Sequence, residues 1–113
     1  MSERSRGGRR HHKDLQLCRQ VFDALTYALA ELDDPQIEEL ALASVVPAPT
    51  AARMLVTLVP TREDLAPDKI ADVLVCIAEC AAELREEVAA EITRQRVPEL
   101  VFRIATRAEL APA

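Results

Sequence analysis

The stretch PDKIADVLVCIAECAAELREEVAAEITRQRVPELVFRI, residues 67–104, decides the fold. Ile70, Val73, Leu74, Ile77, Ala81, Leu84, Val88 and Ile92 recur at helical spacing, which predicts a helix that buries one face. Pro67 stands where a first helical position belongs, because its missing N–H would have no partner there, and Asp64 and Asp68 sit near the positive end of the helix dipole. The helical pattern runs to about Arg94. Arg96-Val97-Pro98 then stops it, and Leu100, Val101, Phe102 and Ile104 form a last strand. Taken as one rod, residues 67–94 would be about 42 Å long at ~1.5 Å per residue, against roughly 34 Å for the diameter of a sphere suited to this chain length. A break is therefore expected, and Cys80-Ala81-Ala82 is the run of small side chains where two helices could close tightly.

Upstream, Leu15, Cys18, Phe22, Leu25, Leu29 and Leu32 follow one another at intervals of three and four, with Leu17, Val21, Ala24 and Ala28 widening the stripe. This predicts an amphipathic helix from about His12 to Leu32, and Asp33-Asp34-Pro35 ends it because proline cannot continue the ladder. Ile37, Leu40, Leu42, Val45 and Val46 lie between Pro35 and Pro47-Ala48-Pro49 and read as a strand. Met54 to Val59, with the β-branched Val56, Thr57 and Val59, reads as a second strand, antiparallel to the first across the proline-rich loop. The expected fold is α+β, with helices packed on one face of a three-stranded sheet, because helix stripes and sheet need each other's apolar faces.

With 113 residues the chain fits one domain. Only Phe22, Tyr27 and Phe102 are aromatic, too few for a base-stacking platform on a sheet. No apolar run approaches the roughly 18 residues that span a bilayer, and the basic start lacks the apolar stretch of a secretory signal, so a cytoplasmic protein is expected. Cys18, Cys76 and Cys80 have no spacing that indicates a disulfide framework, which suits a reducing compartment. The net charge of −5 hides two regions: residues 1–19 carry +4 and the remainder −9. An acidic body with a basic arm binds a polyanion locally, provided that its acidic faces turn to water or to protein.

The element order and the residues at its joints resemble ribosome-binding factor A along nearly the whole chain. Arg96-Val97-Pro98-Glu99-Leu100-Val101-Phe102 is the clearest local match, supported by the Arg-rich entry to the first helix through Leu17 and Val21 and by the Asp34-Pro35 step before Ser44-Val45. The loop near Pro49 and the strand Leu55-Val56-Thr57 fit in spacing. The resemblance implies a single KH-like domain of type II, α-β-β-α-(kink)-α-β. Residues 1–10 would form a flexible basic N-terminal arm, 11–108 the domain and 109–113 a short tail. In the family, a kink patterned Ala, any residue, Gly replaces the glycine-rich phosphate loop of KH domains. That kink falls here on Cys80-Ala81-Ala82, with Cys80 for alanine and Ala82 for glycine. The implied role is ribosome biogenesis: binding 16S rRNA on free or immature 30S subunits and assisting late maturation and rRNA processing. No catalysis, cofactor, membrane or small-molecule substrate is implied, and the protein is expected to be monomeric.

Candidate RNA contacts are Arg9, Arg10, Lys13 and Arg19 in the basic region, Arg85 beside the expected kink, and Arg94, Arg96 and Arg103 around the last helix and strand. Each neutralised phosphate would add to a salt-dependent affinity. If a second helix began near Ala82, its unpaired amides would form an anion site, though Glu83, Glu86 and Glu87 would repel phosphate there. The competing readings are a purely structural bend at the kink, a tail that aids solubility for the arm, and ordinary surface charge for Arg94, Arg96 and Arg103. His11-His12 with Cys18 invites a zinc reading, but the cysteines lie on buried helical stripes and read as core residues. Asp33-Asp34, Glu38-Glu39 and Glu86-Glu87 have neither a nucleophile nor a glycine-rich loop beside them and read as solvated charge. The alternative function is an α+β protein–protein interaction domain without direct RNA contact, favoured by the acidic body.

Overall fold

The computed structural model describes residues 2–50, 52–92 and 97–110, excepting the side chains of 2–14 and 110. Its elements are α1 (Ser2–Glu31), α2 (Pro35–Glu38), β1 (Leu40–Pro47), β2 (Arg53–Pro60), α3 (Pro67–Glu91), β3 (Glu99–Ile104) and α4 (Arg107–Leu110). The three strands form one mixed sheet in the order β1-β2-β3. β1 and β2 pair antiparallel, with a register irregularity between Leu42 and Ser44, and β2 and β3 pair parallel. A parallel neighbour requires a crossover that carries the chain back along the sheet. α3 is that crossover.

The core follows from the helix stripes and the central strand. Leu17, Cys18, Val21, Ala24, Leu25 and Ala28 of α1 are buried together with Val73, Ile77, Leu84 and Val88 of α3. They meet Met54, Val56 and Leu58, the alternate residues of β2, all fully buried. Removing each such side chain from water stabilises the fold by about 1.5–3 kcal/mol before entropy is counted. α1 packs on β1 and α3 on β3, so the sheet's two edges lie under different helices.

Three expectations need correction. α1 begins at Ser2 rather than near His12. Arginine is a good helix former, and the backbone of the arm continues the helix upstream despite Gly7-Gly8. Ile37 belongs not to a strand but to α2. Asp34 caps that short helix, its Oδ1 accepting from the Gln36 N–H at 2.9 Å, with Pro35 in the first turn. The chain reaches this cap through Asp33, whose φ of 53° is left-handed, a conformation that short polar side chains tolerate. Finally, α3 is not divided into two helices, because Cys80-Ala81-Ala82 lies inside one uninterrupted element. The molecule is no sphere. Its principal extents are 50 × 36 × 18 Å, and the 25 residues of α3, roughly 37 Å at 1.5 Å each, fit along the slab without a break.

The expected domain limit at residue 108 falls inside α4. Thr106 and Glu109 form a reciprocal capping box: the Glu109 N–H donates to Thr106 Oγ1 at 3.1 Å, and the Thr106 N–H donates to Glu109 Oε1 at 3.3 Å. Arg107 fastens α4 to the loop after β2, its N–H donating to Asp64 Oδ1 at 2.8 Å and its guanidinium to the carbonyls of Thr61 and Arg62.

Candidate nucleic-acid interface

Among the described residues β3 is an edge strand, pairing with β2 on one side, and α3 packs on it. Where the middle of α3 meets the start of β3, Ala81 and Ala82 stop at Cβ and leave a trough. The resulting open cleft of about 490 Å³ is lined by Ala81, Ala82, Arg85, Glu99, Leu100 and Phe102. Leu100 and Phe102 also pack against the core, so the apolar floor is held rigidly. One rim is Arg85, exposed, whose Nη2 donates to the Val97 carbonyl at 3.2 Å. Among the described residues this is the hydrogen bond of a fork that carries five N–H donors. The other rim is Glu99, whose Oε2 lies 4.0 Å from Arg53 Nε, with both side chains more than half exposed. Such a pair is worth little in stability.

The acids near Arg85 in sequence do not line the cleft. Asp72, Glu79, Glu83 and Glu86 are exposed at intervals of seven, four and three, and so share one lane of α3. That lane lies toward the flank where Cys76 donates its thiol to Gln36 Oε1 of α2 at 3.4 Å, away from the flank on which Arg85 reaches β3. Glu99 is the acid among the lining residues. The anion site imagined at a helix start near Ala82 is absent, because the amides there belong to the ladder of α3, whose N-terminus is at Pro67.

The structure brings together Ala81, Ala82 and Arg85 with the segment after Pro98, and it separates them from Arg19. Arg19 is exposed on α1 and borders a different cleft of about 530 Å³, lined also by Leu15, Cys18, Phe22, Asp23, Ser44 and Val45, beside the β1 edge. Arg103 is exposed on β3, and its Nη2 contacts Glu109 Oε2 at 2.5 Å. The side chains of Arg9, Arg10 and Lys13, and the whole of Arg94 and Arg96, lie outside the described residues. Sequence reasoning misses Arg53. Its place beside Glu99 comes from the parallel register of β2 and β3, a pairing across 46 positions with no local signal.

The cysteines sit as core residues do. Cys18 is buried, and Cys76 and Cys80 are half-buried. Burial pushes the Cys80 thiol up from its usual range, and the carboxylates of Glu83, Asp34 and Glu79 add to the shift. The group is held as the thiol, the unreactive form. No helix among the described residues is long and apolar enough to cross a membrane.

No protein-family model matches the sequence, and no curated protein matches it in sequence. Solved structures do match in shape. The crystal structure of ribosome-binding factor A from Thermus thermophilus superposes with a TM-score of 0.63 at 21% identity, covering 91% of this chain and 99% of that one. The solution structure of a Thermotoga maritima protein provisionally assigned as a ribosome binding factor A gives a TM-score of 0.66 at 16% identity, covering 79% and 83% of the two chains. At these identities the likeness establishes the fold: an α+β domain of the ribosome-binding factor A type, with helices on a three-stranded mixed sheet.

Proposed function

We propose that this protein is a ribosome-assembly factor that binds 16S rRNA on free or immature 30S subunits and assists late small-subunit maturation and rRNA processing. It acts by occupying and ordering an RNA segment, without catalysis or cofactor, as a cytoplasmic monomer. The observation that carries the reading is the shape shared with ribosome-binding factor A over 91% of this chain. The cleft between α3 and β3 supports it: an open trough, an apolar floor, and an arginine at the rim with donors to offer a phosphate. The basic residues Arg9, Arg10, Lys13 and Arg19 add a second point of attachment, and Arg94, Arg96 and Arg103 extend the basic surface around the last helix and strand.

Co-sedimentation tests the proposal. The protein should travel with free 30S subunits at low salt, leave them as salt rises, and be missing from complete 70S ribosomes. No 30S association at low salt overturns it. The acidic lane of α3, formed by Asp72, Glu79, Glu83 and Glu86, favours a second reading, a protein–protein interaction domain. Recovery of one protein partner without any rRNA selects that reading.

A further inference from the structure

Arg103 is the candidate contact that the fold withholds. It projects from the exposed positions of β3, while Leu100, Phe102 and Ile104 turn to the core. Its guanidinium is occupied by Glu109, Oε2 to Nη2 at 2.5 Å, so a carboxylate already stands where a phosphate oxygen would bind. Both side chains are about half exposed, 45% and 49%. On its own such a pair is weak, but Glu109 does not reach Arg103 by chance. The capping box with Thr106 fixes its carboxylate, and Arg107 moors α4 to Asp64 and to the carbonyls of Thr61 and Arg62. A moored acid presents a high effective concentration to its partner.

We propose that α4 is an autoinhibitory latch in which Glu109 occupies Arg103 and competes with RNA phosphate for it. The proposal rests on the RNA-binding reading above. In the latched state Glu109 neutralises the Arg103 charge and takes one of its donors; displacement of Glu109 frees the full fork for a phosphate contact. Apparent affinity is lowered by the fraction of molecules in which the arginine is free.

The experiment is filter binding of the full chain to 16S rRNA across a salt series, with Glu109→Gln, Arg103→Gln, the double variant, and Glu86→Gln as a control for charge alone. Glutamine keeps the capping box while discarding the charge that pairs with Arg103. The expected result is about two- to fivefold tighter binding by Glu109→Gln, with the slope of log affinity against log salt steepened by about 0.7, one phosphate on a single strand. Both effects should vanish in the Arg103→Gln background. Equal gains from Glu109→Gln and Glu86→Gln, or a gain that survives loss of Arg103, overturn the latch while leaving RNA binding standing. Absence of binding in every variant overturns both readings together, and binding by Glu109→Gln alone supports the latch.

Discussion

Arg85 has five N–H donors and gives one to the Val97 carbonyl, so a single side chain ties α3 to the entry of β3 and still faces the cleft with the rest of its fork. Because the residue is exposed, replacing it should alter stability by no more than about 0.5 kcal/mol. Its effect on RNA binding should be larger. Arg85→Ala should reduce the slope of log affinity against log salt by about 0.7, the loss of one phosphate on a single strand. Arg85→Lys keeps the charge and should keep the slope, while losing affinity because a point ammonium lacks the planar fork. Filter binding in a salt series reads both, and an unchanged slope in Arg85→Ala would remove the cleft from the RNA path. Cys80 makes a second prediction at this scale. Its folded pKa is raised, so the thiolate forms only at higher pH than in the unfolded chain, and the stability that this contributes is present below the unfolded pKa and lost as pH rises through the folded one. Iodoacetamide labelling of Cys80, followed by peptide mass spectrometry, should show a rate-against-pH midpoint above that of the urea-unfolded protein. Coincident midpoints would contradict the desolvation that this geometry imposes.

At the scale of the element, α3 connects two parallel strands and has to return along the sheet, and a single uninterrupted helix does so. Ala82 is exposed in its middle, where glycine would add only unfolded-state freedom. Ala82→Gly should therefore destabilise the protein by about 0.5–1 kcal/mol, measured by urea denaturation. Stabilisation instead would mean that the backbone leaves helical angles there. Much of this element is legible in the sequence. Val73, Ile77, Leu84, Val88 and Ile92 follow from periodicity and are buried, because an amphipathic stripe has one place to go. The unbroken length is not legible, since the length argument assumes a sphere and the molecule is 18 Å along its shortest axis. Apolar spacing misplaces Ile37 because it cannot outweigh an Asp34 cap and a first-turn proline. Arg85 can be named from charge alone, but its partner Val97, the cleft floor and Arg53 depend on which strands pair, and strand pairing is non-local.

For the whole molecule the governing feature is charge separated along the chain, +4 over residues 1–19 and −9 over the rest. An RNA approaching the acidic body is repelled at distances up to a Debye length, about 8–10 Å at physiological salt. The basic segment then has to supply the attraction. Residues 1–10 hold Arg4, Arg6, Arg9 and Arg10 and, after Met1, no apolar side chain, whereas the apolar stripe of α1 starts at Leu15. Gly7-Gly8 lies within the helical segment and weakens it there by about 0.5–1 kcal/mol per glycine relative to alanine. Deleting residues 1–10 should therefore leave the urea midpoint nearly unchanged, since residues 2–10 bring no apolar side chain that a core could bury. RNA affinity should behave differently: if all four arginines meet phosphates, the salt slope falls by about 3 at ~0.7 per phosphate on a single strand. The truncated chain keeps Arg85 and Arg103, so residual binding should still respond to Arg85→Ala. A truncation that preserves both affinity and slope would place the whole RNA contact on the folded body, and the cleft between α3 and β3 would then have to overcome the acidic field without the arm.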